Sequence, residues 1–200
     1  MRGLYVGRFQ PFHNGHLELI QHIDRTFHPD ELLVGIGSAQ TSHTLRDPFT
    51  AGERFEMITR ALTAERFEGY WPIPIPDLDR HAVWVAHVRS LLPRFEQVYS
   101  NDPLTVHLFQ TAGYEVPRLP FFNRGQYEGT EVRRRMAQGE PWEALVPVAV
   151  RVFLEEINGV ERVRWLAGSP EAARLARGDH APAGAPLRPA PSIDEPQKGK

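Results

Sequence analysis

The fold is decided by residues 4–36, which read LYVGRFQPFHNGHLELIQHIDRTFHPDELLVGI. The apolar runs at residues 4–6 and 32–36 are too continuous to have a solvated face, as is typical of strands in a parallel sheet covered on both sides. Between residues 17 and 27, apolar positions recur at three- and four-residue spacing, which predicts a helix with one buried face. Two buried strands joined by a helix make a βαβ unit.

The following residues repeat this alternation. Residues 50–53, TAGE, have the form of a capping box and predict a helix start. Residues 70–76 contain alternating prolines, so they can only be an edge strand or an extended segment. We expect buried strands at residues 97–100 and 114–116, and helices at about 81–92, 104–112, 130–138 and 142–157. This order of elements predicts an α/β fold with a doubly wound parallel sheet.

The last part of the chain has a different composition. In residues 167–200 the only large aliphatic side chains are Leu175, Leu187 and Ile193, among six prolines and many alanines. Such a segment cannot bury enough apolar surface to offset its ordering entropy. We therefore expect one ordered domain over residues 1–166, followed by a disordered Pro/Ala-rich tail.

The absence of cysteine and the scarcity of lysine exclude several chemistries. Cysteine is absent, and the 23 Lys and Arg residues are 21 arginines and only two lysines, Lys198 and Lys200 at the C-terminus. These counts exclude a thiol nucleophile, a disulfide and a Cys-ligated metal, and they leave no P-loop or Schiff-base lysine in the body of the chain. A bound phosphate must be held by Arg, His, backbone N–H groups, helix N-termini or a metal.

Net charge and hydropathy limit the classes of partner that the chain is expected to have. A formal net charge of −2 gives no support for a nucleic-acid or acidic-membrane partner. No apolar run approaches the roughly 18 residues that a membrane helix needs. The N-terminus reads as a strand and has no signal-peptide core, so we expect a cytoplasmic protein.

The segment that carries most chemical information is residues 7–16, GRFQPFHNGH, between the first strand and the first helix. Ligands of open α/β sheets bind at the carboxyl ends of strands, where helix N-termini present unpaired N–H groups. His13 and His16 lie three residues apart across the helix start, so both can face one anion. Gly15 allows close approach to the backbone. Metal ligation, or a solvated polar loop, is the alternative.

These residues resemble a known family. GRFQPFHNGH looks like the HxGH signature of the nucleotidyltransferase superfamily, and the fuller run resembles nicotinamide-mononucleotide (NMN) adenylyltransferases of the archaeal type. The resemblance continues through residues 35–40, 47–54, 127–135 and 157–162. It implies a Rossmann-like nucleotidyltransferase fold with C-terminal helices, and a catalytic domain over residues 1–166.

The resemblance also implies site residues. The implied catalytic residues are His13, His16, Arg46 and Arg133. The implied ATP-binding residues are Gly7, Arg8, Phe9, Gln10, His13, Gly15, His16, Gly129, Thr130 and Arg133. The implied NMN-binding residues are Ser38, Ala39, Gln40, Asp77, Trp84 and Asn101.

A second basic element lies at residues 129–135, GTEVRRR. Thr130 is a good N-cap, so we expect an anion-binding helix start there. Arg133 lies one turn inside that helix and matches the family's phosphate-gripping arginine. Successive helical residues diverge by about 100°, so we expect Arg134 and Arg135 to be mostly surface residues.

Three assignments have alternatives. Arg46 could form an ion pair with Asp47 rather than contact a triphosphate, and Trp84 could be a core residue rather than a platform for nicotinamide. Residues 100–103 read SNDP where the family has SGNP. The choice between Asn101 and Asp102 as the residue of the NMN pocket is therefore left open. The family also has Ser where Glu128 stands.

The implied reaction is ATP plus NMN giving NAD and pyrophosphate. The NMN phosphate attacks the α-phosphorus directly, so no protein nucleophile or base is needed, and Mg²⁺ would be bound mainly through ATP and water without protein ligands. The resemblance also implies a homo-oligomer, commonly a hexamer.

The sequence is also compatible with three other functions. A transferase acting on another phosphate monoester, such as phosphopantetheine or nicotinate mononucleotide, differs by its substrate. A nucleotide sensor would bind without turnover. An oligonucleotide-binding module using the run of three arginines would bind in a salt-sensitive way.

Overall fold

A four-stranded parallel sheet lies at the centre of the protein in the computed structural model, which describes residues 1–78, 80–120 and 128–168. The strands are β1 (Arg2–Gly7), β2 (Glu31–Ile36), β3 (Tyr70–Pro74) and β4 (Gln97–Tyr99), in the order β3-β2-β1-β4. The proline-containing strand β3 is at one edge, as its missing N–H donors require.

Helices cover both faces of this sheet. They are α1 (Asn14–Phe27), α2 (Ala51–Ala64), α3 (Trp84–Leu91), α4 (Pro103–Thr111), α5 (Gly129–Gln138), α6 (Val148–Glu156) and α7 (Gly159–Gly168). Alternate residues of β1 point to opposite faces: Leu4 joins a core with side chains of α3 and α4, and Tyr5 joins a core with side chains of α1, α2 and α5–α7. The doubly wound α/β fold predicted from the sequence is confirmed.

All four strands end at the same edge of the sheet because they are parallel. The register pairs Gly7 of β1 with Ile36 of β2. Immediately beyond them, the Gly37 N–H donates a hydrogen bond to the Gly7 carbonyl at 2.9 Å. The loops that follow β1 and β2 therefore leave the sheet side by side, and this edge carries the candidate site.

Two predicted elements were wrong. Residues 114–116 form only an isolated bridge, Glu115 with Gln97, because Pro117 follows and provides no N–H for a longer ladder. Residues 142–157 are not one helix: a short 3-10 turn at Glu143–Leu145 is separated from α6 by Pro147, which holds the preceding residue in an extended conformation.

The last described helix extends slightly beyond residue 166, the predicted end of the ordered domain. Helix α7 continues to Gly168, two residues past the expected end of the domain. Residues 169–200, which carry nearly all of the predicted disordered tail, lie outside the described residues. Among the helices in the described ranges, none is long and apolar enough to cross a membrane.

Candidate functional site

The start of α1 brings two imidazoles together. His13 is the N-cap of α1 and His16 is the third residue of the helix. Their rings stack with centroids 3.5 Å apart, and the His13 backbone N–H donates to His16 Nδ1 at 3.2 Å. Because His16 Nδ1 accepts a hydrogen bond, the proton of the neutral ring is on Nε2, which is left as a donor.

Both imidazoles are neutral in the free protein. Burial, with a smaller contribution from the Arg133 charge, lowers the pKa of His13 to about 3. Burial, followed by the effect of His13, also lowers the pKa of His16 well below its ordinary value. Among the described residues, buried His13 Nδ1 has no hydrogen-bond partner. A buried polar atom without a partner, at a helix start, is suited to an anionic ligand.

The start of α5 approaches the same place. A Cβ on Gly129 would lie 2.9 Å from the Gln10 carbonyl oxygen and 3.1 Å from Arg133 Nη1, so only glycine allows this approach. Arg133 is buried, and it donates to the Gln10 carbonyl at 2.6 Å and the Leu45 carbonyl at 3.0 Å. Burial, followed by repulsion from Arg8, lowers the pKa of Arg133 to about 10, which leaves it charged at neutral pH.

The predicted N-cap of α5 was wrong. Glu128, not Thr130, occupies the cap position, and its side chain accepts no capping hydrogen bond. Thr130 is the second residue of the helix, and its hydroxyl accepts a bond from Arg133 Nη2 at 3.3 Å. The first-turn N–H groups of α5 are thus left without a side-chain cap, so the helix start retains the positive end of its dipole for a ligand.

These groups line a cavity of about 160 Å³, the smaller of two at this edge of the sheet. Its lining residues are Arg8, Phe9, Gln10, His13, His16, Gly129, Thr130 and Arg133. It combines two guanidinium groups, two imidazoles and the starts of two helices. This combination provides N–H donors and positive charge from several directions, which is what a polyphosphate needs.

The larger cavity, of about 420 Å³, lies beside it and includes Ser38, Arg46, Asp77 and Trp84 in its lining. The Ser38 hydroxyl donates to an Asp77 carboxylate oxygen at 2.5 Å. Arg8 lines both cavities and is the side chain common to them. The two groups of predicted site residues are therefore neighbours in space.

Trp84 has two environments. It is 8% exposed and packs edge-on against Phe109 with ring centroids 5.5 Å apart, so it belongs to the core under α3 and α4. It also lines the larger cavity. The two interpretations of Trp84, as a core residue and as a platform for a ligand, are thus compatible.

Asp47 pairs with Arg8 rather than with Arg46. Asp47 is 5% exposed, and its Oδ1 lies 3.5 Å from Arg8 Nη1. Within the described part of the chain this oxygen accepts no hydrogen bond. Arg46 is exposed and lines the larger cavity, so the four predicted catalytic residues are divided between the two cavities.

Several predicted site residues have other partners. Both polar atoms of the Gln10 side chain bond the backbone of Phe49, at 2.9 and 3.0 Å, so Gln10 holds the loop and presents no side-chain group to a ligand. The Asn101 amide donates to the Pro120 carbonyl at 3.2 Å, whereas Asp102 lines the larger cavity. Neither cavity has Gly15, Ala39 or Gln40 in its lining.

One residue of this region was missed by the sequence analysis. Arg54 of α2 is completely buried, and its guanidinium bonds to carbonyl groups of both loops at the sheet edge. The signal was present, because Arg54 lies on the apolar stripe of the helix, three and four residues before Met57 and Ile58. An arginine on a buried face must have internal partners.

The other two arginines of the 133–135 run have surface partners. Arg134 pairs with Glu131 and Glu140, and Arg135 pairs with Glu131. These ion pairs satisfy both guanidinium groups without a ligand. Arg134 is exposed and Arg135 is half-buried, in agreement with the prediction that they are mostly surface residues.

Nothing in the described ranges forms a protein metal cage. No group of three or more His, Asp or Glu side chains in them could hold a metal ion. The smaller cavity is lined by cationic and neutral groups. The lining of this cavity therefore offers a divalent cation no carboxylate ligand.

Known proteins are similar to this chain over most of its length. The family model described as cytidylyltransferase-like matches residues 4–135. The chain is 54% identical over 166 residues to the nicotinamide-nucleotide adenylyltransferase of Halobacterium salinarum, covering 83% of this chain and 92% of the relative. It is 47% identical over 176 residues to the enzyme of that name from Pyrococcus furiosus, covering 86% and 92%.

A solved structure shares the fold. It is a bifunctional NMN adenylyltransferase/ADP ribose pyrophosphatase from Francisella tularensis, complexed with AMP and a Mn ion. The TM-score is 0.71 at 18% sequence identity, and the match covers 94% of this chain but only 57% of that longer chain. At this identity the likeness concerns the fold alone.

Proposed function

The chain belongs to the nicotinamide-nucleotide adenylyltransferase family, and we propose that it transfers AMP from ATP to NMN, giving NAD and pyrophosphate. The observation that carries this proposal is the pair of adjoining cavities with Arg8 common to both. One is lined by cationic groups and helix starts, and the other by an indole and a carboxylate. A transfer between two phosphate-bearing substrates requires such a junction.

In this proposal the smaller cavity holds the ATP phosphates. His16 donates from Nε2 to an α-phosphate oxygen, and His13 donates to the neighbouring phosphate. Arg133 and the first-turn N–H groups of α5 hold the outer phosphates. Neutral imidazoles can fill this role, because each still carries one N–H donor that can be aimed at developing negative charge.

The larger cavity holds NMN in the same proposal. Trp84 would stack on the nicotinamide ring, whose positive charge is attracted to the indole face. Ser38 and Asp77 would bind polar groups of the nucleotide, and Arg46 would contact phosphate. The NMN phosphate would then attack the α-phosphorus of ATP in line, with pyrophosphate leaving from the opposite side.

Mg²⁺ is proposed to enter with ATP, and when bound it would neutralise charge on the β- and γ-phosphates. The contribution of the chain is to hold the phosphate oxygens that the ion leaves free. Turnover should therefore stop on chelation with EDTA and return with Mg²⁺, while EDTA should leave the unfolding temperature of the free protein unchanged.

Two further properties are proposed from the family. We infer a cytoplasmic enzyme, and a homo-oligomer for which a hexamer is the first form to test by light scattering. The substrate experiment is decisive for function. Purified protein with Mg²⁺ and equal concentrations of ATP and NMN should release NAD and pyrophosphate in a 1:1 ratio.

The same assay separates the rivals. Nicotinate mononucleotide and phosphopantetheine are supplied in parallel, and we expect NMN to give the highest kcat/KM of the three. Faster turnover of phosphopantetheine would assign the chain a different substrate. ATP binding without any product from the three acceptors would indicate a sensor.

A further inference from the structure

The buried guanidinium of Arg54 connects the two loops of the candidate site, which follow β1 and β2. Its Nη1 donates to the carbonyls of Arg8 at 2.9 Å and Gly37 at 2.7 Å, and its Nη2 donates to the carbonyl of Ser38 at 3.0 Å. Its Nε donates at 3.2 Å to the carbonyl of Thr50, the N-cap residue of its own helix. Arg54 itself is 0% exposed, so it contacts neither cavity directly.

The loop carbonyls that it binds have a common location. Arg8 is the first residue after β1, and Gly37 and Ser38 are the first two after β2. Arg8 lines both cavities and Ser38 lines the larger one. One rigid planar group thus fixes the separation of two backbone segments that carry candidate ATP-binding and NMN-binding side chains.

We propose that Arg54 is a positioning residue for the transfer reaction, holding the loops after β1 and β2 at the separation that aligns the two substrates. This inference rests on the proposed function and extends it to a residue that touches neither substrate. The role belongs to the fork of the guanidinium, since a single point charge cannot bond carbonyls of both loops in fixed directions.

Energetics also favour a geometric role. Burying a charged group carries a desolvation penalty, and an apolar side chain of similar volume often stabilises a protein as well or better. Burial lowers the pKa of Arg54, while the carboxylates of Asp47 and Asp77 oppose that effect. A fully buried arginine whose hydrogen bonds to the described residues go to backbone carbonyls is therefore better suited to fixing a conformation than to adding stability.

Loosening this connection should affect catalysis more than binding. Each substrate is held mainly within its own cavity, so its separate affinity survives a small change in loop separation. The in-line displacement requires both substrates in register, and a misplacement of about 1 Å can reduce a rate by about 100-fold.

The test compares Arg54→Lys and Arg54→Gln with Leu62→Ala. The lysine variant keeps the charge but loses the fork, and the glutamine variant loses both. Leu62 is fully buried two turns further along α2 and lines neither cavity, so its alanine variant is a control for destabilisation of the same helix. Thermal unfolding, kcat, and the Kd values of ATP and of NMN measured separately by calorimetry are determined for each.

We expect both Arg54 variants to lose about 10- to 100-fold in kcat, while each separate Kd changes by less than about threefold. Leu62→Ala should unfold at a lower temperature yet keep its kcat at a temperature where it is folded. An unchanged kcat in Arg54→Lys, or an equal loss in Leu62→Ala, would overturn the proposal. Failure of both Arg54 variants to fold would also overturn it, by making Arg54 a determinant of the fold. Absence of NAD formation by the wild-type chain would instead refute the proposed function.

Discussion

His13 and His16 form a stacked pair with ring planes inclined by 22° and centroids 3.5 Å apart, and the backbone N–H of His13 bonds the ring of His16. Two charged imidazoles could not share this space, because like charges in contact and out of water repel strongly. The stacking therefore excludes two charged rings, and burial, which lowers the pKa of both histidines, favours the neutral form of each. The arrangement also fixes which nitrogen of His16 can donate to a ligand.

Two substitutions of His16 should distinguish the roles of its two ring nitrogens. Glutamine places an amide near the position of Nε2, whereas asparagine places one near Nδ1 and leaves the ligand side without a donor. We expect His16→Asn to lose about 100- to 1,000-fold in kcat, the usual effect of removing one donor to a developing oxyanion. His16→Gln should retain more activity than His16→Asn. Near-wild-type turnover by the asparagine variant would contradict the assigned role.

Protein stability should fall in mild acid because of the histidine pair. Burial lowers the pKa of His13 to about 3 in the folded protein, from 6.5 for a solvent-exposed histidine side chain. Its neutral form thus contributes stability that is complete above pH 6.5 and is lost as the pH falls from 6.5 toward 3. Between pH 6.5 and pH 5, this histidine alone should lower the free energy of unfolding by about 2 kcal/mol.

Urea titrations of wild type and His13→Asn at both pH values measure this contribution. Asparagine is a good N-cap residue, so the variant should fold. We expect its loss of stability between the two pH values to be smaller than that of the wild type by about 2 kcal/mol. Equal losses in the two proteins would mean that His13 titrates normally in the folded state.

Gly129 should tolerate no side chain. Alanine there would place Cβ 2.9 Å from the Gln10 carbonyl oxygen, so the start of α5 must move away from the loop that follows β1. We expect Gly129→Ala to raise the KM for ATP by at least about 10-fold, since the helix N–H groups leave phosphate distance. Gly168→Ala is the matched control, because a Cβ at Gly168 meets nothing within 4 Å. Equal KM values in both variants would remove α5 from the ATP site.

Trp84 should affect one substrate more than the other. Trp84→Phe keeps an aromatic ring against Phe109 but reduces the surface offered to a pyridinium ring. We expect the KM for NMN to rise about 3- to 10-fold, a typical cation–π contribution, and the KM for ATP to change less than about twofold. Phe109→Leu alters the packing behind the indole without lining either cavity. If it reproduced the effect of Trp84→Phe, the indole would be a core residue only.

The parts of the fold that could be predicted are those encoded locally. The βαβ unit of residues 4–36 and the capping box at Thr50 were confirmed because each depends on periodicity or on one short motif. The helix expected over residues 142–157 failed at Pro147, whose effect on the preceding residue outweighed the apolar pattern.

The parts of the site that could not be predicted depend on contacts between distant residues. The Gln10 carbonyl lies so close to Gly129 that a Cβ there would be 2.9 Å from its oxygen, and nothing near residue 129 in the sequence reveals that contact. The carbonyls that Arg54 binds lie up to 46 positions away in the chain. Local N-cap preference favoured Thr130, whereas the helix begins at Gly129 and Glu128 is its N-cap residue.

The central claim is a direct transfer in which the chain aligns two phosphates and supplies no nucleophile. It is tested most directly by the stereochemistry at phosphorus, using a single diastereomer of adenosine 5′-O-(1-thiotriphosphate) with NMN and Mg²⁺. One in-line displacement inverts the configuration. We therefore predict that the product, NAD with sulfur on its adenylyl phosphorus, has inverted configuration at that phosphorus. Retention of configuration would require two displacements through an enzyme-bound adenylyl group and would contradict this account.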